Sequence, residues 1–179
     1  MAEVNWVDKE CKETEWWTPR KILDCVDTFY GGQIPLDPAT HPSNPTKAKK
    51  FFTKDNDGLS QKWDEPVFVN PPYGKGIRDW CEAIWRHSLI GLPIIALLPC
   101  GARFSTRYWQ NFILSERLHA ICFVRSRVKF LREDGTPRPQ NPYDSAIYAY
   151  NVIGLDRESL FTETFCPLGK CLRVSIAEA

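Results

Sequence analysis

At 179 residues the chain has the size of one domain, long enough to bury a core without disulfide or metal staples. With 43% hydrophobic and 25% charged residues it is not a disordered or low-complexity protein, and no apolar run reaches membrane-spanning length. The net charge of +1 excludes no partner by itself, but its distribution is uneven. Residues 1–65 hold nine Lys/Arg against twelve Asp/Glu, whereas residues 101–138 hold eight Lys/Arg against three acids. A local basic stretch suits a phosphate-facing surface, and equally a solvated face. The seven cysteines are scattered with no C-x-x-C pair, and the three histidines lie far apart. Reduced thiols, no zinc site and no other metal are therefore expected. No signal peptide opens the chain, so a soluble cytoplasmic protein is expected.

Residues 1–15 are polar and charged and are expected to form a flexible arm ahead of a single domain over 16–179. Thr18-Pro19 predicts a helix start, with Thr18 as cap and Pro19 in the first turn. Ile22, Leu23, Val26 and Phe29 fall at helical spacing, and Gly31-Gly32 ends the helix. A short strand ending at Leu36-Asp37 should follow, then a loop over 38–45 with three prolines, then a short helix over 46–52. Val67–Val69 reads as a buried strand and 76–90 as an amphipathic helix. Residues 93–98 read as an apolar strand, and Ser105 to about Leu114 as a helix. Strands are expected at 118–124, 127–131 and 145–152, with an exposed loop over 132–143. Beyond 153 the sequence shows no clear element. Strand and helix alternate, which predicts an α/β domain with a mainly parallel sheet flanked by helices. Ligands in such sheets bind outside the carboxyl ends of the strands.

Asn70-Pro71-Pro72-Tyr73 directly follows the strand Val67–Val69, so it sits where a reactive loop belongs. The prolines fix two φ angles and remove two amide donors, and Pro71 holds Asn70 extended. This stiff turn suits chemistry on an aryl amine, whose lone pair is delocalised into its ring. The Asn70 side-chain oxygen and the Pro71 carbonyl could accept both N–H bonds of such an amine and aim its lone pair at an activated methyl. Tyr73 could stack on the base and hold its plane. Transfer then depends on positioning and on the electrostatics of the developing charge. Taken alone, the tetrapeptide reads equally well as a rigid turn.

The tetrapeptide matches the catalytic motif of amino-methyltransferases. Together with Trp17-Thr18-Pro19, Leu36-Asp37-Pro38-Ala39, Asp57–Trp63 and Leu97-Leu98-Pro99, it resembles the phage-type (Dam-like) DNA N6-adenine methyltransferases over about residues 15–152. The resemblance implies a Rossmann-like methyltransferase fold. It also implies a site-specific enzyme that transfers methyl from S-adenosylmethionine to adenine N6 in DNA, with the base flipped out. Asn70, Pro71, Pro72 and Tyr73 take the catalytic roles. Trp17, Thr18, Pro19, Asp37, Pro38, Asp57 and Asn70 are the implied cofactor contacts: Thr18-Pro19 meets the methionine end, Asp37 the ammonium and Asp57 the adenine amine. Phe52 covers the cofactor's adenine or packs in the core. DNA is the implied partner, and Arg125, Arg127 and Lys129 lie in a segment that resembles the family's; by position, Arg103 and Arg107 sit just past a strand near the same edge, and the 132–143 loop with Arg132, Arg138, Gln140 and Asn141 could reach base edges. The chain departs from many methyltransferases in two ways. No glycine-rich loop follows Asp37, and only 19 residues separate Asp37 from Asp57, so the cofactor region is abbreviated. Two alternatives remain at this stage: N-methylation of RNA or protein glutamine, and an inactive nucleic-acid-binding module.

Overall fold

Five consecutive apolar residues, Ile94 to Leu98, are fully buried. A strand achieves this only when both faces of its sheet are covered. The computed structural model describes residues 16–101, 104–138 and 141–175 and shows that layering. The elements are α1 (Arg20–Phe29), β1 (Leu36–Asp37), β2 (Lys50–Phe51), a 3-10 turn (Lys54–Asn56), β3 (Val67–Val69), α2 (Ile77–Ser88) and β4 (Ile94–Cys100). A π-helical turn (Trp109–Ile113), β5 (Leu118–Val124), β6 (Asp144–Tyr150), α3 (Leu155–Phe165) and β7 (Gly169–Arg173) follow.

Alternation along the strands divides the core into two layers. Phe68, Ile95, Leu97, Cys122, Ile147 and Ala149 face α1 and α3, meeting Leu23, Val26, Phe161 and Phe165. Val67, Val69, Ile94, Ala96, Leu98, Tyr148 and Tyr150 face α2 and the π-helical turn, meeting Cys81, Ile84, Trp109 and Ile113. Full burial of each large side chain contributes about 1.5–3 kcal/mol.

The sheet order is β2-β1-β3-β4-β6-β5-β7. The pairs β2–β1, β1–β3 and β3–β4 are parallel, and β4–β6, β6–β5 and β5–β7 are antiparallel. The expected mainly parallel sheet is thus corrected to a mixed one. The returning strand β6 inserts between β4 and β5, and its buried run Ser145–Tyr150 is indistinguishable by periodicity from a parallel core strand. Strands β1 to β5 still share one direction, which follows from these pairings.

Three local expectations also change. Residues 46–52 are not a helix. The Asn44 side chain accepts from the Ala48 N–H at 3.1 Å and donates to its carbonyl at 2.9 Å, and Asn44 and Lys47 both have positive φ. That turn delivers Lys50–Phe51 to β1 as a strand. Residues 127–131 form no strand: Val128 and Phe130 are buried, but only Leu131 makes isolated bridges, to Trp17 and Pro137. The helix expected from Ser105 narrows to one turn followed by the π-helical segment, closed by the Leu114 N–H on the Trp109 carbonyl at 3.0 Å. The segment from 153 supplies α3 and the edge strand β7. The expected arm at 1–15 lies outside the described residues.

Candidate active site

The chain leaves β1 toward β2 on one side and returns as β3 on the other, which makes β1 a topological switch point. A cavity of about 400 Å³ opens at the carboxyl ends of these strands. Its walls come from Trp16–Thr18, Asp37–His41 with Pro45 and Thr46, Thr53 and Lys54, Asp57–Leu59, Asn70–Pro72 and Trp80. Of the expected cofactor contacts, Trp17, Thr18, Asp37, Pro38, Asp57 and Asn70 line it, and Pro19 does not.

Asn70 is held by its amide nitrogen, which donates to the Trp16 carbonyl and to the Thr18 hydroxyl oxygen, both at 3.1 Å. A carbonyl can only accept, so the amide cannot be turned the other way round. Its oxygen therefore points away from this anchor, and among the described residues it accepts no hydrogen bond. Neither does the Pro71 carbonyl. Thr18 is not the helix cap expected of it. Pro19 occupies the cap position without a side-chain bond, and the buried Thr18 hydroxyl serves Asn70, 52 residues away.

Asn70, Pro71 and Pro72 line the cavity, but Tyr73 lies beyond it. The Tyr73 hydroxyl donates to the Leu97 carbonyl at 3.3 Å, and its ring meets Phe130 and Tyr143 edge-on at 5.9 and 6.3 Å. Burial raises the pKa of this phenol, keeping it neutral. Tyr73 thus packs outside the cavity lining, between the buried Phe130 and Tyr143, which is 44% exposed.

Asp37 ends β1 with only 2% of its surface exposed. It accepts from the Ala39 N–H and the Thr46 hydroxyl, both at 2.9 Å, and no cation faces it among the described residues. Burial pushes its pKa up from 3.8 to about 6, against the lowering effect of Ala39, Thr46 and Thr40. A buried carboxylate that meets only neutral donors and lines a cavity suits a cationic ligand group.

Asp57 follows the 3-10 turn in a left-handed conformation, with φ of 49°, and lines the same cavity. Thr53 caps that turn, its hydroxyl accepting from the Asp55 N–H at 3.3 Å. Gly58 then passes so close to Pro38 that an added Cβ would lie 1.8 Å from the Pro38 carbonyl oxygen. The Trp63 indole donates to the Gly58 carbonyl at 2.9 Å and stacks on His87 at 4.3 Å. The two acidic segments are therefore packed tightly against each other in the cavity lining. Gly58→Ala is expected to force them apart, to cost about 1–3 kcal/mol of stability through overpacking, and to weaken ligand binding in the cavity. A denaturant melt and a binding titration check this; a variant equal to the parent in both removes the packing role. Phe52 packs with the α2-side core and does not line the cavity.

The topology brings the basic residues to the same sheet edge. Arg107 follows β4, Arg125, Arg127 and Lys129 follow β5, and Arg132 and Arg138 precede the reversed strand β6. Arg125, Arg127 and Lys129 are exposed. Arg127 lies 3.6 Å from Asp144, an open pair that solvent screens. The Arg138 guanidinium lies over the Trp16 ring at 5.5 Å, and Arg132 donates within its own turn to Thr136 and Pro137. Asn141 is buried: it accepts from the Tyr143 N–H at 3.0 Å and donates to the Ser145 hydroxyl at 3.4 Å. The expectation that it reaches base edges is corrected, because its side chain is used up inside the fold. Arg103 and Gln140 lie outside the described residues.

Sequence reasoning missed the Trp16 carbonyl, Thr40, Thr46, His41 and Trp80. Thr40 and Thr46 are placed by hydrogen bonds to Asp37 within ten residues, which no periodicity marks, and the Trp16 carbonyl is placed by Asn70, 54 residues away.

A cavity of small-ligand size at a switch point, a rigid loop with free acceptors among the described residues and a cationic rim together suit an α/β protein that acts on a polyanionic substrate. The chain belongs to the DNA N-6-adenine-methyltransferase (Dam) family, whose model matches residues 7–161 and so spans every residue of the site. Comparison with curated proteins gave no match. The family carries DNA adenine N6-methyltransferase activity, with DNA as the substrate.

Proposed function

We propose that the chain is a site-specific enzyme using S-adenosylmethionine as methyl donor, with the target adenine swung out of the duplex. In this reading the fold is a Rossmann-like methyltransferase fold with an abbreviated cofactor region. The observation that carries it is Asn70: an amide anchored through its nitrogen, with its oxygen left free beside a second free acceptor, the Pro71 carbonyl.

The cavity residues fit the donor. Asp37 offers a buried anion to an ammonium group, and Asp57 an exposed acceptor across a space of about 400 Å³, large enough for a nucleoside with a short tail. When bound, S-adenosylmethionine supplies a methyl group already activated on a sulfonium, so no strong general base is required. Asn70 Oδ1 and the Pro71 carbonyl accept the two N–H bonds of the adenine amine and turn its lone pair toward the cavity. Tyr73 and Tyr143 receive the face of the base beside the turn, while Asn70 and Pro71, which line the cavity, hold its amine at the cavity so that no residue stands between acceptor and donor. The hydrogen bond from Tyr73 to Leu97 fixes the ring in advance, which reduces the ordering cost of the reaction. Flipping the base costs a few kcal/mol, offset by stacking and by phosphate contacts from the rim.

Labelled methyl transfer to unmethylated DNA, followed by nucleoside analysis, tests the reading. N6-methyldeoxyadenosine at defined sites is the expected product. Label on RNA or on protein glutamine, or none on any acceptor despite donor binding, overturns it. Arg127→Ala is expected to lower the salt dependence of DNA binding by about 0.9 in log–log slope, one phosphate contact. An unchanged slope removes Arg127 from the backbone contacts.

A further inference from the structure

A second cleft, of about 390 Å³, lies between α2 and the 107–113 turn, outside the cavity described above. It is lined by Arg78, Arg107, Tyr108, Asn111 and Phe112. Arg107 and Asn111 stand one turn apart on one wall, as do Tyr108 and Phe112, and Arg78 in the first turn of α2 forms the other. Trp85 of α2 meets Phe112 at 5.3 Å and holds the two walls together. The lining carries two guanidiniums, an amide and two aromatic rings and, among the described residues, no carboxylate. Both arginines are exposed, and among the described residues neither has an ion-pair partner. Two unpaired guanidiniums across one cleft repel each other, and that arrangement is relieved when an anion lies between them.

We propose that this cleft is a DNA-backbone subsite, in which Arg78 and Arg107 grip a phosphodiester and Tyr108 and Phe112 flank the attached nucleoside. The inference rests on the reading of the chain as a DNA methyltransferase and deepens it. Position selects DNA as the occupant. Arg78 follows the Asn70–Tyr73 turn by less than ten residues, and Arg107 follows the carboxyl end of β4, so the cleft opens at the edge that carries Asn70. Arg125, Arg127 and Lys129 flank the same edge from the other layer, since Val128 and Phe130 pack with α1 and α3. Tyr73 touches both layers. A strand crossing this edge meets cations on both sides of the reacting turn, which gives the duplex two handles around the flipped base.

The experiment measures the affinity of the full chain for a short unmethylated duplex across a salt series. It compares the parent with Arg78→Ala, Arg107→Ala, the double substitution and Arg78→Lys, and titrates S-adenosylmethionine without DNA in parallel. Each alanine is expected to lower the log–log salt slope by about 0.9 and the pair by about twice that. Arg78→Lys should retain the parent slope, and donor binding should be the same in all. A double variant with the parent slope and normal donor binding overturns the subsite and leaves the enzyme reading standing. A parent that binds donor but not DNA overturns both.

Discussion

Asn70→Ala is expected to lower single-turnover methyl transfer by roughly 10²–10³-fold at saturating donor and DNA, the scale on which loss of one preorganised polar partner is felt. The Asn70 amide nitrogen is spent on Trp16 and Thr18, which leaves its oxygen as the acceptor that the proposed mechanism offers to the amine. Alanine removes that acceptor and leaves only the Pro71 carbonyl, so one N–H bond loses its partner and the lone pair is no longer directed. The two lost hydrogen bonds are only partly buried and cost about 1–2 kcal/mol of stability, a fraction of the margin of an ordinary domain. The variant should therefore melt cooperatively near the parent and still bind DNA. Saturating conditions separate the chemical step from any weakening of donor binding, since Asn70 also lines the cavity proposed for the donor. Full activity in Asn70→Ala would sink the mechanism.

The segment around Asn70 was legible because its signals are local. Val67–Val69 is an apolar triplet, two prolines stiffen the turn, and Ile77, Cys81 and Ile84 repeat at helical spacing; each feature stands within a few residues of the next. Asp37 was legible for the same reason, at the end of a short buried run. What failed was what depends on distant chain. Strand direction leaves no mark on periodicity, so β6 between β4 and β5 reads the same whether parallel or antiparallel to them. Thr18 before Pro19 carries a valid capping signal, yet the amide of Asn70 claims its hydroxyl. Asn141 reads as a loop residue, yet Ser145 and the Tyr143 N–H draw it inward. β7 went unseen because Gly169–Arg173 is an edge strand with mostly exposed side chains and no alternation. Tyr73 was recognised by its motif, but its place outside the cavity follows from Leu97 and Phe130, which only the folded sheet brings near.

Asp37→Asn is expected to separate binding from stability, with opposite signs. Replacing a buried anion that faces a ligand cation costs roughly 2–5 kcal/mol, so donor affinity should fall from about 30-fold to several thousand-fold. The same substitution should stabilise the ligand-free protein at neutral pH. Burial raises the Asp37 pKa from 3.8 to about 6 in the folded chain, so between these values the folded state holds a proton that the unfolded state has released. Stability contributed by the protonated acid is complete below about pH 4, declines as pH rises, and is lost above about pH 6; the full effect is on the order of 3 kcal/mol. Asparagine never ionises and escapes this loss. The Thr46 hydroxyl, which already reaches the Asn44 side-chain oxygen at 3.2 Å, can donate there and accept from the new amide. Urea melts of ligand-free parent and variant should therefore differ most near pH 7.5, with the variant more stable, and the gap should narrow by about half at pH 5. Donor affinity of the parent should fall over the same acid range as Asp37 takes up its proton, while that of the variant stays low and flat. A variant that binds donor like the parent would detach Asp37 from the ammonium site, and a stability gap that does not change with pH would mean the buried carboxylate is not what the ligand relieves.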